Sequence, residues 1–148
     1  MIDVRPAVEA DLDWLCALEQ ECFSLPWTRE QLSHQLSGGG KMLLVAELDG
    51  ERAGYMGLDF VLDEGYVTNV CTASAFRRRG VASALIDAVI ARARELDLSF
   101  VTLEARVSNV PARSLYALKG FAEVGIRPGY YEKPAEDAVI MTLFLKKV

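Results

Sequence analysis

The stretch Asn69-Val70-Cys71-Thr72-Ala73-Ser74-Ala75-Phe76-Arg77-Arg78-Arg79-Gly80-Val81-Ala82 is where residue types and spacing first suggest chemistry. A strand ends, a turn of small residues follows, and a long helix opens with Gly80 in its first turn. The free N–H groups of such a helix start converge on one point, where the helix dipole favours negative charge. Gly80 and Ala82 lack bulk, so an anion as large as a diphosphate can approach the backbone closely. The neighbouring Arg77, Arg78 and Arg79 add charge-assisted contacts. By residue type alone, a solvated basic face remains equally open. The spacing is neither Gly-x-x-x-x-Gly-Lys-[Ser/Thr] nor Gly-x-Gly-x-x-Gly, which excludes two common phosphate-binding turns.

The other reactive types are sparse. Three cysteines, Cys16, Cys22 and Cys71, are too few and too irregularly spaced for a disulfide framework, and all three are expected to be reduced and packed. A single histidine, His34, leaves no metal cluster to be expected. His34 lies between Ser33 and Gln35 on an expected helix and reads as a solvated polar residue. Cys71 could in principle carry an acyl group, but no histidine stands near it in sequence to activate the thiol. It is read as a small packed residue.

These residues need a frame. Ile2 to Pro6 reads as a short strand, and Glu9 to Glu21 carries Leu12, Leu15, Cys16 and Leu18 at helical spacing. Ser24-Leu25-Pro26-Trp27-Thr28 breaks that helix, and Thr28 with Gln31 resembles a capping box for a second one running to Leu36. Strands follow at Met42 to Leu48, Arg52 to Leu62 and Tyr66 to Thr72, with Asp49-Gly50 as a hairpin turn. Val81, Ala82, Leu85, Ile86, Val89, Ile90 and Ala93 form an apolar stripe, predicting an amphipathic helix over Arg78 to Leu96. Phe100 to Arg106 alternates, with Val101, Leu103 and Ala105 on one face and Thr102, Glu104 and Arg106 on the other. Ser108-Asn109 offers a cap, Pro111 a first turn and Gly120 a stop. Phe121 to Ile126 and Ala138 to Leu145 close the chain as strands. The order predicts an α/β fold, a mixed central sheet with flanking helices and a parallel crossover through the long helix.

Size and charge narrow the field. The chain has 148 residues, 51% of them hydrophobic, which suits a single domain over 1–148. No window reaches the ~18 apolar residues of a membrane span, and the N-terminus lacks a signal-peptide pattern, so a cytoplasmic protein is expected. A net charge of −5 disfavours broad nucleic-acid binding and better suits a partner that presents an amine.

Arg77-x-x-Gly80-x-Ala82 resembles the acyl-CoA signature [Gln/Arg]-x-x-Gly-x-[Gly/Ala] of the GNAT N-acetyltransferases, whose order of elements the chain also follows. The resemblance implies that the backbone and side chains of Arg77, Arg78, Arg79, Gly80, Val81 and Ala82 hold the pyrophosphate of acetyl-CoA. It implies that Val70, Cys71 and Thr72 pair with the pantetheine arm, and that Asn109 contacts the cofactor from the far side. Leu25-Pro26-Trp27-Thr28, Leu103 to Asn109, Ser114 to Phe121, Gly129-Tyr130-Tyr131 and Glu136 to Met141 are similar to the RimI-like subgroup. That subgroup acetylates the N-terminal alanine of a small-subunit ribosomal protein.

Within that likeness Glu104 matches the general base that deprotonates the amine, directly or through water, and Tyr116 the general acid for the departing thiolate. Spacing alone favours a solvated strand carboxylate and a core tyrosine; the resemblance reverses that. An α-amino group with a pKa near 8 costs about 1.4 kcal/mol to deprotonate at pH 7, and a lysine near 10.4 about 4.6 kcal/mol, so one glutamate suits an N-terminus better. Trp27, Tyr130 and Tyr131 are expected to line the acceptor groove, although Trp27 fits a core position equally well. The link from Tyr131 to Asp137 is shorter than usual for the subgroup, and the N-terminal helices match it loosely, which touches the acceptor more than the reaction. A free small amine or polyamine as acceptor, or a non-catalytic acyl-CoA-binding module, are the competing expectations. A monomer meets every demand of the sequence.

Overall fold

The computed structural model of the chain describes residues 1–146. Strand β1 (Ile2–Pro6) leads through a short 3-10 turn into helices α1 (Leu12–Cys22) and α2 (Arg29–Ser37). Strands β2 (Lys41–Leu48), β3 (Glu51–Val61) and β4 (Glu64–Thr72) follow, then helix α3 (Val81–Glu95) and strand β5 (Phe100–Arg106). Helix α4 (Val110–Leu118) and strands β6 (Ala122–Tyr131) and β7 (Glu136–Phe144) complete the order. The seven strands form one sheet in the order β1-β2-β3-β4-β5-β7-β6. Among the described residues only β4 and β5 run parallel, joined by α3 as the crossover, so the expected mixed sheet with flanking helices is what forms.

Alternation decides which helix covers which face. Leu44, Ala46 and Leu48 of β2 turn toward α3, where Val81, Leu85, Ile86, Val89 and Ala93 supply the apolar stripe. Leu43 and Val45, one residue out of phase, turn the other way to meet Leu12, Leu15, Leu18 and Leu32 of α1 and α2. Each fully buried aliphatic side chain contributes about 1.5–3 kcal/mol, so both helical layers are held chiefly by these stripes. The turn Asp49-Gly50 has φ of 51° and 85°, the left-handed pair that a two-residue hairpin demands. Thr28 caps α2: its hydroxyl accepts the Gln31 N–H at 3.2 Å while the Gln31 side chain accepts the Thr28 N–H at 2.8 Å.

Two features of β4 prepare a site. Its parallel pairing with β5 covers only Glu64 to Tyr66 against Phe100 to Thr102, after which the strands part and the outer edge of β4 from Val67 onward has no strand beside it. Against β3, its register slips between Met56↔Val70 and Leu58↔Val67, so Thr68 and Asn69 oppose the single residue Gly57. Such a bulge re-aims side chains. Val67 and Val70 face the α3 layer while Asn69 and Cys71 face α1. Gly57 makes room for this, because a Cβ there would stand 2.3 Å from Thr68 Oγ1.

Two sequence expectations need correcting. Helix α3 starts at Val81 rather than Arg78, and Gly80 is its N-cap rather than part of its first turn. Arg78 and Gly80 have φ of 63° and 84°, left-handed values that no right-handed helix contains. Strand β6 runs on to Tyr131 instead of stopping at Ile126; it is the exposed outer strand of the sheet, and its register against β7 is irregular between Arg127 and Tyr131.

Candidate active site

The parting of β4 and β5 opens a cleft of about 860 Å³. It is lined by Trp27 from the α1–α2 loop, Val70 from β4, Glu104 from β5, Asn109 and Tyr116 from α4, and Tyr130 and Tyr131 from β6. Seven of the residues singled out in the sequence are thereby brought together. Cys71, Thr72 and Arg77 to Ala82 lie outside this lining, further along β4 and at the start of α3.

Glu104 and Tyr116 approach the cleft from opposite layers. Val101, Leu103 and Ala105 of β5 pack into the α3 side, so Glu104 projects to the side of α1 and α2. Its Oε1 stands 3.2 Å from Arg127 Nε of β6. Tyr116 is packed in the α3-side core against Phe121, yet it borders the cleft. No hydrogen bond to its hydroxyl is seen among the described residues. Burial pushes its phenol up to about 12. The layers communicate where β4 and β5 diverge, so a group lying there can meet a carboxylate on one side and a phenol on the other.

One part of the cleft is lined by aromatic rings. Tyr130 and Tyr131 stand edge to face with centroids 5.0 Å apart. Burial, with Tyr130 and Glu104 beside it, pushes the Tyr131 phenol up to about 12. Both rings ride on the β6–β7 hairpin, which Arg106 props from β5. Its guanidinium donates to the Pro134 carbonyl at 2.9 Å, the Glu132 carbonyl at 3.3 Å and Glu136 Oε1 at 3.2 Å, and lies 4.4 Å from the Tyr131 ring centre. Glu136 Oε2 also accepts the Ser108 N–H at 2.6 Å, and these partners hold its carboxyl below the usual range. Trp27 combines the two roles open to it, packing on the α1–α2 core while lining the cleft.

At the far end of β4 the chain turns through Ser74–Phe76 into α3. Arg77, Arg78, Arg79 and Gly80 are all exposed, and no side chain caps the first turn of α3. Arg77 Nε reaches back to the Thr72 carbonyl at 3.5 Å, and the Arg79 guanidinium sits 5.8 Å from the Phe76 ring centre. The helix start therefore stands open with its N–H groups unpaired by a cap.

Residues 12–121 match the model of the Acetyltransferase (GNAT) family. The chain belongs to the GNAT acetyltransferase family. It is 32% identical over 145 residues to the [ribosomal protein bS18]-alanine N-acetyltransferase of Haemophilus ducreyi, covering 96% of this chain and 99% of that one. The protein of that name from Escherichia coli strain K12 is 31% identical over 137 residues, 90% of each chain. The crystal structure of the ribosomal-protein-S18-alanine N-acetyltransferase from Escherichia coli superposes with a TM-score of 0.91 at 27% identity, covering 100% of this chain and 96% of that one.

GNAT acetyltransferases use acetyl-CoA as the acetyl donor, and the residues present fit it. The open N-terminus of α3 with its three arginines suits a diphosphate. Gly80 keeps that approach clear, since its positive φ fixes the turn without a side chain. The unpartnered edge of β4 offers backbone groups to an extended amide-bearing arm, as a sheet edge does to an added strand. Asn109 is first a helix cap, its Oδ1 accepting the Ala112 N–H at 3.3 Å, and lines the cleft beside that role.

The cysteines overturn one expectation. Cys22 and Cys71 are joined as a disulfide, and Cys16 alone is free. The fold sets the end of α1 against β4, bringing together two residues 49 apart in sequence, a proximity that no local pattern announces. The Cys71 side chain accordingly faces α1, away from the α3 side. No local pattern in the sequence marks Arg106, Glu19 or Arg127 as functional. Arg106 reaches its partners across 26–30 residues and Glu19 reaches Asn69 across 50, which spacing does not reveal.

Proposed function

We propose that this GNAT enzyme transfers acetyl from acetyl-CoA to the α-amino group of a protein N-terminus, and that its acceptor is the N-terminal alanine of the small-subunit ribosomal protein bS18. The observation that carries the reading is the acceptor side of the cleft. Exposed Leu25 and Tyr130 line it together with Trp27, Tyr131 and Glu104, a lining that suits a chain of several residues entering with its first amine leading. The names of the 31–32% identical relatives support the alanine and the ribosomal protein.

In this reading Glu104 accepts the proton of the incoming ammonium, directly or through one water. Tyr116, whose phenol stays protonated across neutral pH, donates to the leaving sulfur. Val70, Cys71 and Thr72 align the donor along the open edge of β4. Arg77, Arg78, Arg79, Gly80, Val81 and Ala82 hold its diphosphate, and Asn109 borders it from α4. Attack is direct, within a ternary complex: Cys71 is engaged with Cys22 and turned toward α1, which argues against a covalent relay. Residues 1–148 act as one domain and as a monomer in the cytoplasm, without binding nucleic acid.

The test is acetyl-CoA turnover on short peptides that differ in their first residues, with free lysine and spermidine as controls. Turnover is expected to be highest on the alanine-initiated peptide of bS18 sequence. Preference for spermidine or free lysine over every peptide would overturn the assignment.

A further inference from the structure

Glu19 is fully buried on α1 and lines the cleft, yet the acid–base pair makes no use of it. Its Oε1 accepts the backbone N–H of Trp27 at 2.7 Å, and its Oε2 accepts Asn69 Nδ2 at 2.9 Å. Burial raises its pKa, while the two donors act in the opposite direction. A buried carboxylate is a costly way to fill a helix–sheet contact, since an aliphatic side chain of similar size packs there with less desolvation. What the carboxylate adds is direction: two acceptors aimed at two different elements.

Those elements are the two sides of the acceptor entrance. Trp27 ends the irregular segment between α1 and α2, immediately before the cap residue Thr28. Asn69 sits in the bulge of β4, and the bulge is what turns its side chain toward α1, because regular alternation from Val67 would send it to the α3 face. Asn69 Nδ2 also lies 3.4 Å from the Tyr55 hydroxyl on β3, so the tie reaches the centre of the sheet. One turn along α1, Cys22 meets Cys71, two residues along β4, so the same helix face and strand face are joined twice.

We propose that Glu19 is a positioning residue for the acceptor: its carboxylate ties the backbone of Trp27 to the bulge of β4 at Asn69, fixing the Trp27 wall against the strand that flanks the donor. The inference rests on the peptide-acceptor reading above and names a residue that sets its specificity. It touches neither the reacting atoms nor the diphosphate turn, so its loss falls on the acceptor.

The experiment uses the full chain with reductant present, so that the Cys22–Cys71 bond does not mask the loss of the tie. Steady-state kinetics on an alanine-initiated peptide are compared for wild type, Glu19→Ala, Glu19→Gln, Asn69→Ala and the Glu19→Ala/Asn69→Ala double variant. Glu19→Ala is expected to raise the peptide KM about tenfold while the acetyl-CoA KM and kcat stay within about threefold. Asn69→Ala moves in the same direction, and the double variant is no worse than Glu19→Ala, because the two residues act as one unit. Glu19→Gln restores the peptide KM: its Oε1 still accepts from Trp27, and its amide donates to Asn69 once that side chain flips.

A wild-type peptide KM in Glu19→Ala, an equal rise in the acetyl-CoA KM, or a Glu19→Gln variant as impaired as the alanine would overturn the proposal. If Glu19→Ala fails to fold, Asn69→Ala decides by the same split between the two KM values. A second readout is independent of turnover. In a Trp14→Phe background, Trp27 fluorescence shifts to longer wavelength in Glu19→Ala or Asn69→Ala, and no shift in either overturns the tie. A shift in a chain whose wild type acetylates no peptide would instead keep the tie and overturn the peptide-acceptor reading.

Discussion

Replacing Arg106 with methionine would keep an apolar stem on β5 and remove the guanidinium that props the β6–β7 hairpin. The guanidinium holds two backbone carbonyls, of Pro134 and Glu132, and lies over the Tyr131 ring. With the side chain 27% exposed, these contacts belong near the low end of their usual range. About 0.5–1 kcal/mol for each carbonyl bond and about 0.5 kcal/mol for the ring contact make a total of about 2 kcal/mol. The ion pair with Glu136 adds little at a partly solvated surface. Expressed wholly as disorder of Tyr130 and Tyr131, that total raises the peptide KM about 30-fold. The acetyl-CoA KM should not change, because the turn proposed to hold the diphosphate lies at the other end of β4. The assay is initial-rate kinetics with each substrate varied in turn. A peptide KM within about threefold of wild type, or a parallel rise in the acetyl-CoA KM, would refute the idea that Arg106 orders the acceptor wall.

Gly80→Ala should cost about 1–2 kcal/mol in denaturant unfolding and weaken acetyl-CoA binding by calorimetry. The Cβ would find only an ordinary 3.6 Å contact with Ile2, so the penalty comes from the left-handed backbone at φ 84°. Cys22→Ser should lower unfolding free energy by about 4 kcal/mol under non-reducing conditions, from the loop entropy of a cross-link spanning 49 residues. Thiol titration of the unfolded wild type should find one reactive cysteine without reductant and three after reduction. Asp11, buried and bonded to Arg5 and Arg52, has its carboxyl held down to about 2, chiefly by the Arg5 hydrogen bond. A depressed folded pKa means stability that is fully present above the unfolded value near 3.8 and lost as pH falls through about 2. The wild type should therefore lose about 2 kcal/mol more than Asp11→Asn between pH 5 and pH 2, measured by urea unfolding.

Where local chemistry sets structure, the sequence was readable. The capping pair Thr28 and Gln31, the Asp49-Gly50 turn, the apolar stripe of α3 and the alternation that separates Glu104 from Leu103 all lie within a few residues of one another, and all appear as expected. The apolar period alone carries α3 back to Arg78, but Arg78 and Gly80 adopt left-handed backbone values, a choice made by the turn out of β4. Pro128, Gly129 and the mostly exposed residues of β6 disfavour a strand past Ile126; pairing with β7 carries it through to Tyr131. The likeness to GNAT enzymes brought Glu104 and Tyr116 forward, yet Glu19 and Arg106 stayed silent. Each is an ordinary charged residue until a partner distant in sequence arrives.

The account turns on Glu104 and Tyr116 working from opposite layers on a group held where β4 and β5 part. The most direct test is kcat on the alanine-initiated peptide for Glu104→Gln and Tyr116→Phe, each first shown to bind acetyl-CoA with wild-type affinity. Each variant is expected to lose about 10²–10⁴ in kcat, the usual yield of a positioned acid or base. Full kcat in either folded, acetyl-CoA-binding variant would contradict the account.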